Sequence, residues 1–318
     1  MPLDDLIIEN LTSPAVLAFV LGVLAVAVRS DLRLPEQVGS LVSTYLLLAI
    51  GIKGGLRLRE VAFADVWAPI LGTLALGFIT PIVAYWAARR FGRLDVPNAA
   101  SMAAHYGSVS AVTFTAAEGF NRTSGILEEG FLPALVAILE IPGIVVALVI
   151  ASRTLGANIT TALHEVITGK SILLLGGGLL IGSFGSVSAV EAVEPFFIGL
   201  FPGFLCLFLL DLGTLAGQRF TYVRRAGSRL VALAIVLPLV FGTIGAFTGT
   251  LVGLSAGGAA VLAVMSASAS YIAAPAAVRV ALPQADLGIS LGAAIGVTFP
   301  FNLVIGIPLF SEIAQRIA

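Results

Sequence analysis

Apolar residues fill this chain in long uninterrupted blocks, and polar positions fall between the blocks instead of alternating with them. Residues 15–28, 38–52 and 230–254 each run without Asp, Glu, Lys or Arg, the pattern of helices solvated by lipid. A β-barrel alternates apolar and polar side chains in strands of about ten residues, and residues 132–150, LPALVAILEIPGIVVALVI, show no such alternation. Dividing the chain at charged or Gly/Pro-rich breaks predicts ten spans, at residues 13–29, 35–53, 65–90, 97–120, 128–153, 164–184, 195–217, 226–253, 256–281 and 286–316. The expected class is an all-α integral membrane protein of ten transmembrane helices. Every connection is too short to fold as a separate domain outside the bilayer.

With ten spans, one set of alternate connections collects twelve Lys and Arg residues and the other collects five. The positive-inside rule then places both termini outside a plasma membrane, the inner membrane of a bacterium. The N-terminal stretch MPLDDLIIEN is acidic where a secretory signal is basic, so the first apolar block is expected to be a retained span.

Composition narrows the function classes. Hydrophobic residues make up 58% of the chain and charged residues 11%, against about 25% charged in an ordinary soluble domain. A net charge of -1 without a clustered basic surface argues against a nucleic-acid partner. A single cysteine, Cys206, excludes an intrachain disulfide and a thiolate-rich metal site. The two histidines, His105 and His164, do not make a zinc set. The run GGGLLIG at 176–182 sits inside an apolar span, so it reads as close helix packing and not as a nucleotide loop.

The chain also repeats itself. LLLAIGIKGG from Leu46 resembles LCLFLLDLGT from Leu205, GSVSAV from Gly107 resembles ASASYI from Ala267, and Ile141-Pro142 resembles Phe299-Pro300, at offsets of 159, 160 and 158 residues in a chain of 318. Agreement of three anchors with the chain midpoint predicts a duplication, residues 1–159 and 160–318. Five spans per copy is an odd number, so the second copy enters the membrane in the opposite sense, giving two inverted repeats of five helices.

The chemistry concentrates in one matched pair of stretches, AHYGSVSAVTFTAA (104–117) in span four and MSASASYIAAPAAV (265–278) in span nine. Gly107 lowers helix propensity and Pro275 removes an amide donor, so both spans are expected to break near their middles. Their second halves would begin near Ser110 to Thr113 and near Ser270 to Ala273, presenting free amides that suit an anion. The opposing carbonyls, with the hydroxyls of Ser108, Ser110, Thr113, Ser268 and Ser270, are the hard oxygens a sodium ion prefers. Small residues also let two such helices cross closely.

Glu140 lies deep in span five, where an ionisable group needs a partner, a proton, a cation or water. The corresponding place in the second half has no acid, but Asn302 offers an amide oxygen nearby. Asp211 is expected to pair with a base and Lys53 to snorkel to the interface; His105, beside the break in span four, is a candidate to bind a proton or orient Tyr106.

HYGSVSAVTF, LEIPG from Leu139, SASASYIAAPAAVR and GVTFPFNLVIGIPLF together resemble the SbtA-like sodium-dependent bicarbonate transporter family, over nearly the whole chain. The resemblance implies crossed, broken fourth and ninth helices. It also implies a homotrimer whose core domain moves against a scaffold domain in an elevator-like cycle, importing bicarbonate with sodium. Carried over by position, the substrate region falls on Gly107, Ser108, Val109 and Ser110 and on Ser268, Ala269 and Ser270. Sodium ligands are expected among Ser110, Thr113, Glu140, Ser268, Ser270 and Asn302. Cyanobacterial members read SSSD where this chain reads Ser268, Ala269, Ser270, Tyr271, and carry Asp where it has Glu140. Their long soluble insertion between the halves is replaced here by about ten residues near 153–164, so regulation by a PII-like partner is not expected.

The expectation is a sodium-coupled importer of a small anion, bicarbonate or a small carboxylate, working in the lipid bilayer with sodium as coupling ion and no other cofactor. A proton-coupled carrier and a non-transporting membrane sensor are the competing readings. An intramembrane enzyme is not expected, because no nucleophile, base and metal constellation emerges.

Overall fold

The computed structural model describes residues 7–8, 10–155 and 159–318, and its regular structure is entirely helical among them. In chain order the helices are α1 (Pro14–Ala27), α2 (Glu36–Leu58), α3 (Phe63–Arg90), α4 (Val96–Tyr106), α5 (Ala111–Thr123), α6 (Leu132–Leu155), α7 (Ile159–Ile167) and α8 (Lys170–Phe184). There follow α9 (Val187–Glu194), α10 (Phe201–Ala226), α11 (Ser228–Leu251), α12 (Ala256–Ala267), α13 (Ala273–Ala281) and α14 (Leu287–Ile317). A π-helical turn, Pro195–Gly199, joins α9 to α10, and two more, Ala294–Thr298 and Asn302–Gly306, lie inside α14.

Six stretches among the described residues are long and apolar enough to cross a membrane: Glu36–Leu58, Phe63–Arg90, Leu132–Ile150, Val187–Arg219, Ser228–Leu251 and Leu287–Ile317. The other four expected spans depart from a single long helix. The first is the 14-residue α1 and the sixth the 15-residue α8, while the fourth and ninth are each split into two helices. These departures occupy the first and fourth places of each half. The sixth span begins at Lys170 and not at residue 164, because Gly169 caps α8 and the preceding residues form the separate helix α7. The expected boundary between the halves adjoins residues 156–158, which lie outside the described residues.

Local sequence explains where helices start. Ser13 accepts a hydrogen bond from the Val16 amide, with Pro14 at the first position of α1; Asp95 does the same for Asn98 at the head of α4 and Ser255 for Gly258 at the head of α12. Each cap satisfies an amide that has no partner inside its own helix.

Two pairs of helices pack backbone to backbone. α1 lies on α10 and α2 lies on α8. A side chain at Gly22 would overlap the backbone of α10 at Leu210, and one at Gly55 would overlap the backbone of α8 at Leu179, the close approach that small residues permit in lipid. α3 packs against α4 and α6, and α11 packs against α12 and α14. Trp67, Leu71, Phe78, Ile82 and Trp86 are exposed along α3, an apolar surface that suits acyl chains.

Candidate functional site at two facing helix breaks

The fourth span stops at Tyr106 and restarts at Ala111; the ninth stops at Ala267 and restarts at Ala273. Gly107 is required by proximity: a side chain there would strike Pro81 and the backbone of Gly143, and one at Gly143 would overlap the Gly107 carbonyl. Pro275 does not sit in its break. It is the third residue of α13, where an N–H has no partner inside the helix anyway, so it marks the restart. Ser268 to Ile272 form the interruption itself.

The two breaks bind each other. The Ser110 amide donates to Ser268 Oγ at 2.9 Å, and the Ser270 amide donates to the His105 carbonyl at 2.7 Å. Ser268 in turn donates to the Met265 carbonyl from both its hydroxyl, at 2.7 Å, and its amide, at 3.2 Å, closing the end of α12. Ser110 Oγ accepts from the Thr113 amide at 3.2 Å and from Thr113 Oγ1 at 2.9 Å, and donates to the Tyr271 hydroxyl at 3.2 Å. The Tyr271 ring stands edge-on to Phe299 at 5.8 Å. This leaves the phenolic proton of Tyr271 as a donor toward its surroundings.

A cavity with about 10 Å³ of free room lies at this junction, lined among others by Val109, Ser110, Glu140, Ser171, Ser270 and Tyr271. It therefore gathers four of the expected site residues. Ser171, in the first turn of α8, donates to Glu140, while the second carboxylate oxygen of Glu140 is buried without a protein partner among the described residues. Glu140 is 4% exposed.

The remaining expected residues lie around the cavity without lining it. Gly107 packs on Gly143, Ala269 is buried, and Ser268 and Thr113 are occupied in the bonds above. Asn302 donates from Nδ2 to the Ala267 carbonyl at 2.8 Å, closing the end of α12, and its Oδ1 has no partner among the described residues. Ser108 Oγ and His105 Nε2 are likewise buried and unpartnered. His105 Nδ1 meets the Ser101 carbonyl at 2.8 Å, and Tyr106 is oriented by Thr298 at 2.6 Å, not by His105.

Lys53 keeps 31% of its side chain exposed, and its Nζ lies 2.8 Å from Glu118, whose side chain is 5% exposed and also binds Arg122 at 2.9 Å. One expectation for a charged group is corrected. Asp211 stands against Gly39, with no cation bonded to it among the described residues. Sequence reasoning passed over Glu118, Ser171 and Tyr271 as working groups. Glu118 falls two residues from the expected end of the fourth span, where a carboxylate draws no notice, and the reach of Ser171 and Tyr271 across helices leaves no trace in a linear pattern.

Two facing breaks beside a buried carboxylate invite comparison with known families. The model of the Na+-dependent bicarbonate transporter superfamily matches residues 14–315. The chain belongs to that superfamily. The match takes in both breaks, Glu140 and Asn302. Among curated proteins, none matches the chain. Membership makes the chain a membrane protein of a transporter family.

Proposed function

We propose that this superfamily member imports a small anion, bicarbonate in the first instance, together with sodium. The observation that carries the reading is the facing of the two breaks across Ser110, Ser268 and Ser270 beside Glu140. The first amides of α5 and of α13, where Pro275 offers none, have no partner inside their own helices and attract negative charge. Glu140 and the surrounding hydroxyl and carbonyl oxygens attract a cation. Each ion offsets the charge of the other, which lowers the desolvation penalty of carrying either through a low-dielectric path. Room of about 10 Å³ suits a water or a bare cation, so admitting the anion requires the two breaks to move relative to what covers them.

An inverted repeat supports that motion. The contact of α1 with α10 at Gly22 and Gly213 has a counterpart in that of α8 with α2 at Gly182 and Gly55. α3 with α4 and α6 matches α11 with α12 and α14. On this reading α1, α2, α8 and α10 form a scaffold, and the broken helices with α3, α6, α11 and α14 form a core that slides against it in an elevator-like cycle, within a homotrimer in the plasma membrane and with both termini outside. Replacing Ser110 or Ser270 by Leu fills the junction. Both variants should assemble and lose uptake, and normal uptake by both would sink the site assignment.

A proton-coupled carrier is the second reading, favoured by the unpartnered oxygen of Glu140. Uptake in sodium-free medium separates the two.

A further inference from the structure

A cavity much larger than the one at the breaks lies elsewhere in the protein. It has about 590 Å³ of free room, and its walls come from the N-terminal end of α1, from α2 at Lys53, from α5 and from the start of α10. That room is in the range of pockets that hold small organic ligands, and a bicarbonate ion would leave most of it empty. Its lining is mainly apolar, with Val16, Phe120, Phe197, Phe201 and Leu205 prominent.

The charged groups in this wall are Lys53, Glu118 and Arg122 among the described residues. Both cations bind the same carboxylate oxygen, Glu118 Oε1, at 2.8 and 2.9 Å. Two positive charges share one negative, so the cluster keeps one positive charge uncompensated at the edge of an apolar chamber. Lys53 and Arg122 are 31% and 46% exposed, which leaves donors on both available to a ligand.

Between the chamber and the breaks lies a small, mainly apolar cavity. Bounded by Leu46, Leu47, Ile50, Val112, Phe208 and Ile272, it shares Thr115 and Leu205 with the chamber and Leu47, Ala111 and Ile272 with the junction. An ion stripped of its water gains nothing from such walls. The chamber and the junction therefore differ in size and in chemistry.

We propose that the chamber is a separate binding site for an amphipathic monoanion, with an acidic head on Lys53 and Arg122 and an apolar body against Phe120, Phe197 and Phe201. A free medium-chain or aryl carboxylate has this chemistry, and so does an anionic lipid with one chain in the chamber.

The test is equilibrium binding of isotope-labelled octanoate to the full chain in nanodiscs of neutral phosphatidylcholine, with octanol as the uncharged control. Octanoate should bind saturably and more tightly than octanol. Two variants should shift affinity in opposite senses, because one lowers and the other raises the local charge. Arg122→Gln leaves the Lys53–Glu118 pair in place and should weaken octanoate on the order of fivefold, whereas Glu118→Gln should tighten it by a similar factor. Thermal unfolding of both variants checks that each remains folded. Adding phosphatidylglycerol to the nanodisc identifies the source: competition assigns the site to a lipid head group, and its absence assigns it to a soluble carboxylate. Equal binding of octanol and octanoate, no saturable binding, or no opposed shift in two folded variants would overturn the proposal. The readout needs no transport, so it stands or falls independently of the function proposed above.

Discussion

The backbone amide of Ser110 donates to the side chain of Ser268 at 2.9 Å, while the backbone amide of Ser270 donates to the backbone of His105 at 2.7 Å. The two breaks are thus tied by one bond between backbone groups and by two that depend on side chains, the second being that of Ser110 Oγ to the Tyr271 hydroxyl at 3.2 Å. Ser268→Ala leaves the buried Ser110 amide without its acceptor, a loss of about 1–3 kcal/mol. Ser270→Ala keeps the inter-break bond and loses only a 3.3 Å cap on the Ala274 amide. Thermal unfolding should show Ser268→Ala as the less stable variant, with the larger loss of uptake; the reverse order would mean that the side-chain bond does not hold the junction.

Tyr271 separates ring packing from hydrogen bonding. Tyr271→Phe keeps the edge contact with Phe299 and removes the bond to Ser110. The protein should stay folded, with KM for the anion raised several-fold. Tyr271→Asp introduces the carboxylate that cyanobacterial relatives are expected to carry there, and should raise the apparent affinity for sodium. Unchanged sodium dependence in this variant would argue that Tyr271 does not face the ion.

Glu140→Gln keeps the shape of the side chain and its contact with Ser171 and removes the negative charge. Under sodium coupling, the sodium concentration for half-maximal uptake should rise on the order of tenfold, about 1.4 kcal/mol. Uptake that needs no sodium but follows a pH gradient, with that pH dependence lost in Glu140→Gln, would favour the proton-coupled reading.

Lys53→Met leaves the nearly buried Glu118 with Arg122 alone and should destabilise the fold by about 1 kcal/mol, because Arg122 still compensates the carboxylate. The double substitution Lys53→Met with Glu118→Leu should recover most of that loss. A double-mutant cycle on thermal unfolding reads the coupling directly, and purely additive effects would contradict a stabilising pair.

Much of the fold was legible because lipid imposes a coarse and consistent rule. Long charge-free blocks became helices, and the weak helix formers around Gly107 and the serines of 266–270 became breaks within a residue or two of the expected places. What was not legible depends on contacts between distant segments. Gly107 is fixed by Gly143, Tyr106 is held by Thr298 instead of its neighbour His105, and Asn302 spends its amide on the Ala267 carbonyl. Pro275 was placed correctly in the interrupted span and given the wrong part, since a proline in the first turn of a helix starts it where one in the interior breaks it. Lys53 was read from its own helix alone, and its partner lies on α5.

The central claim is sodium-coupled anion import through the facing breaks. The most direct test is uptake of labelled bicarbonate into proteoliposomes holding the purified chain, with and without an inward sodium gradient, alongside the Ser110→Leu and Ser270→Leu variants. The account predicts uptake that depends on the gradient and disappears in both variants. Uptake of equal rate without sodium, or uptake that survives both substitutions, would contradict it.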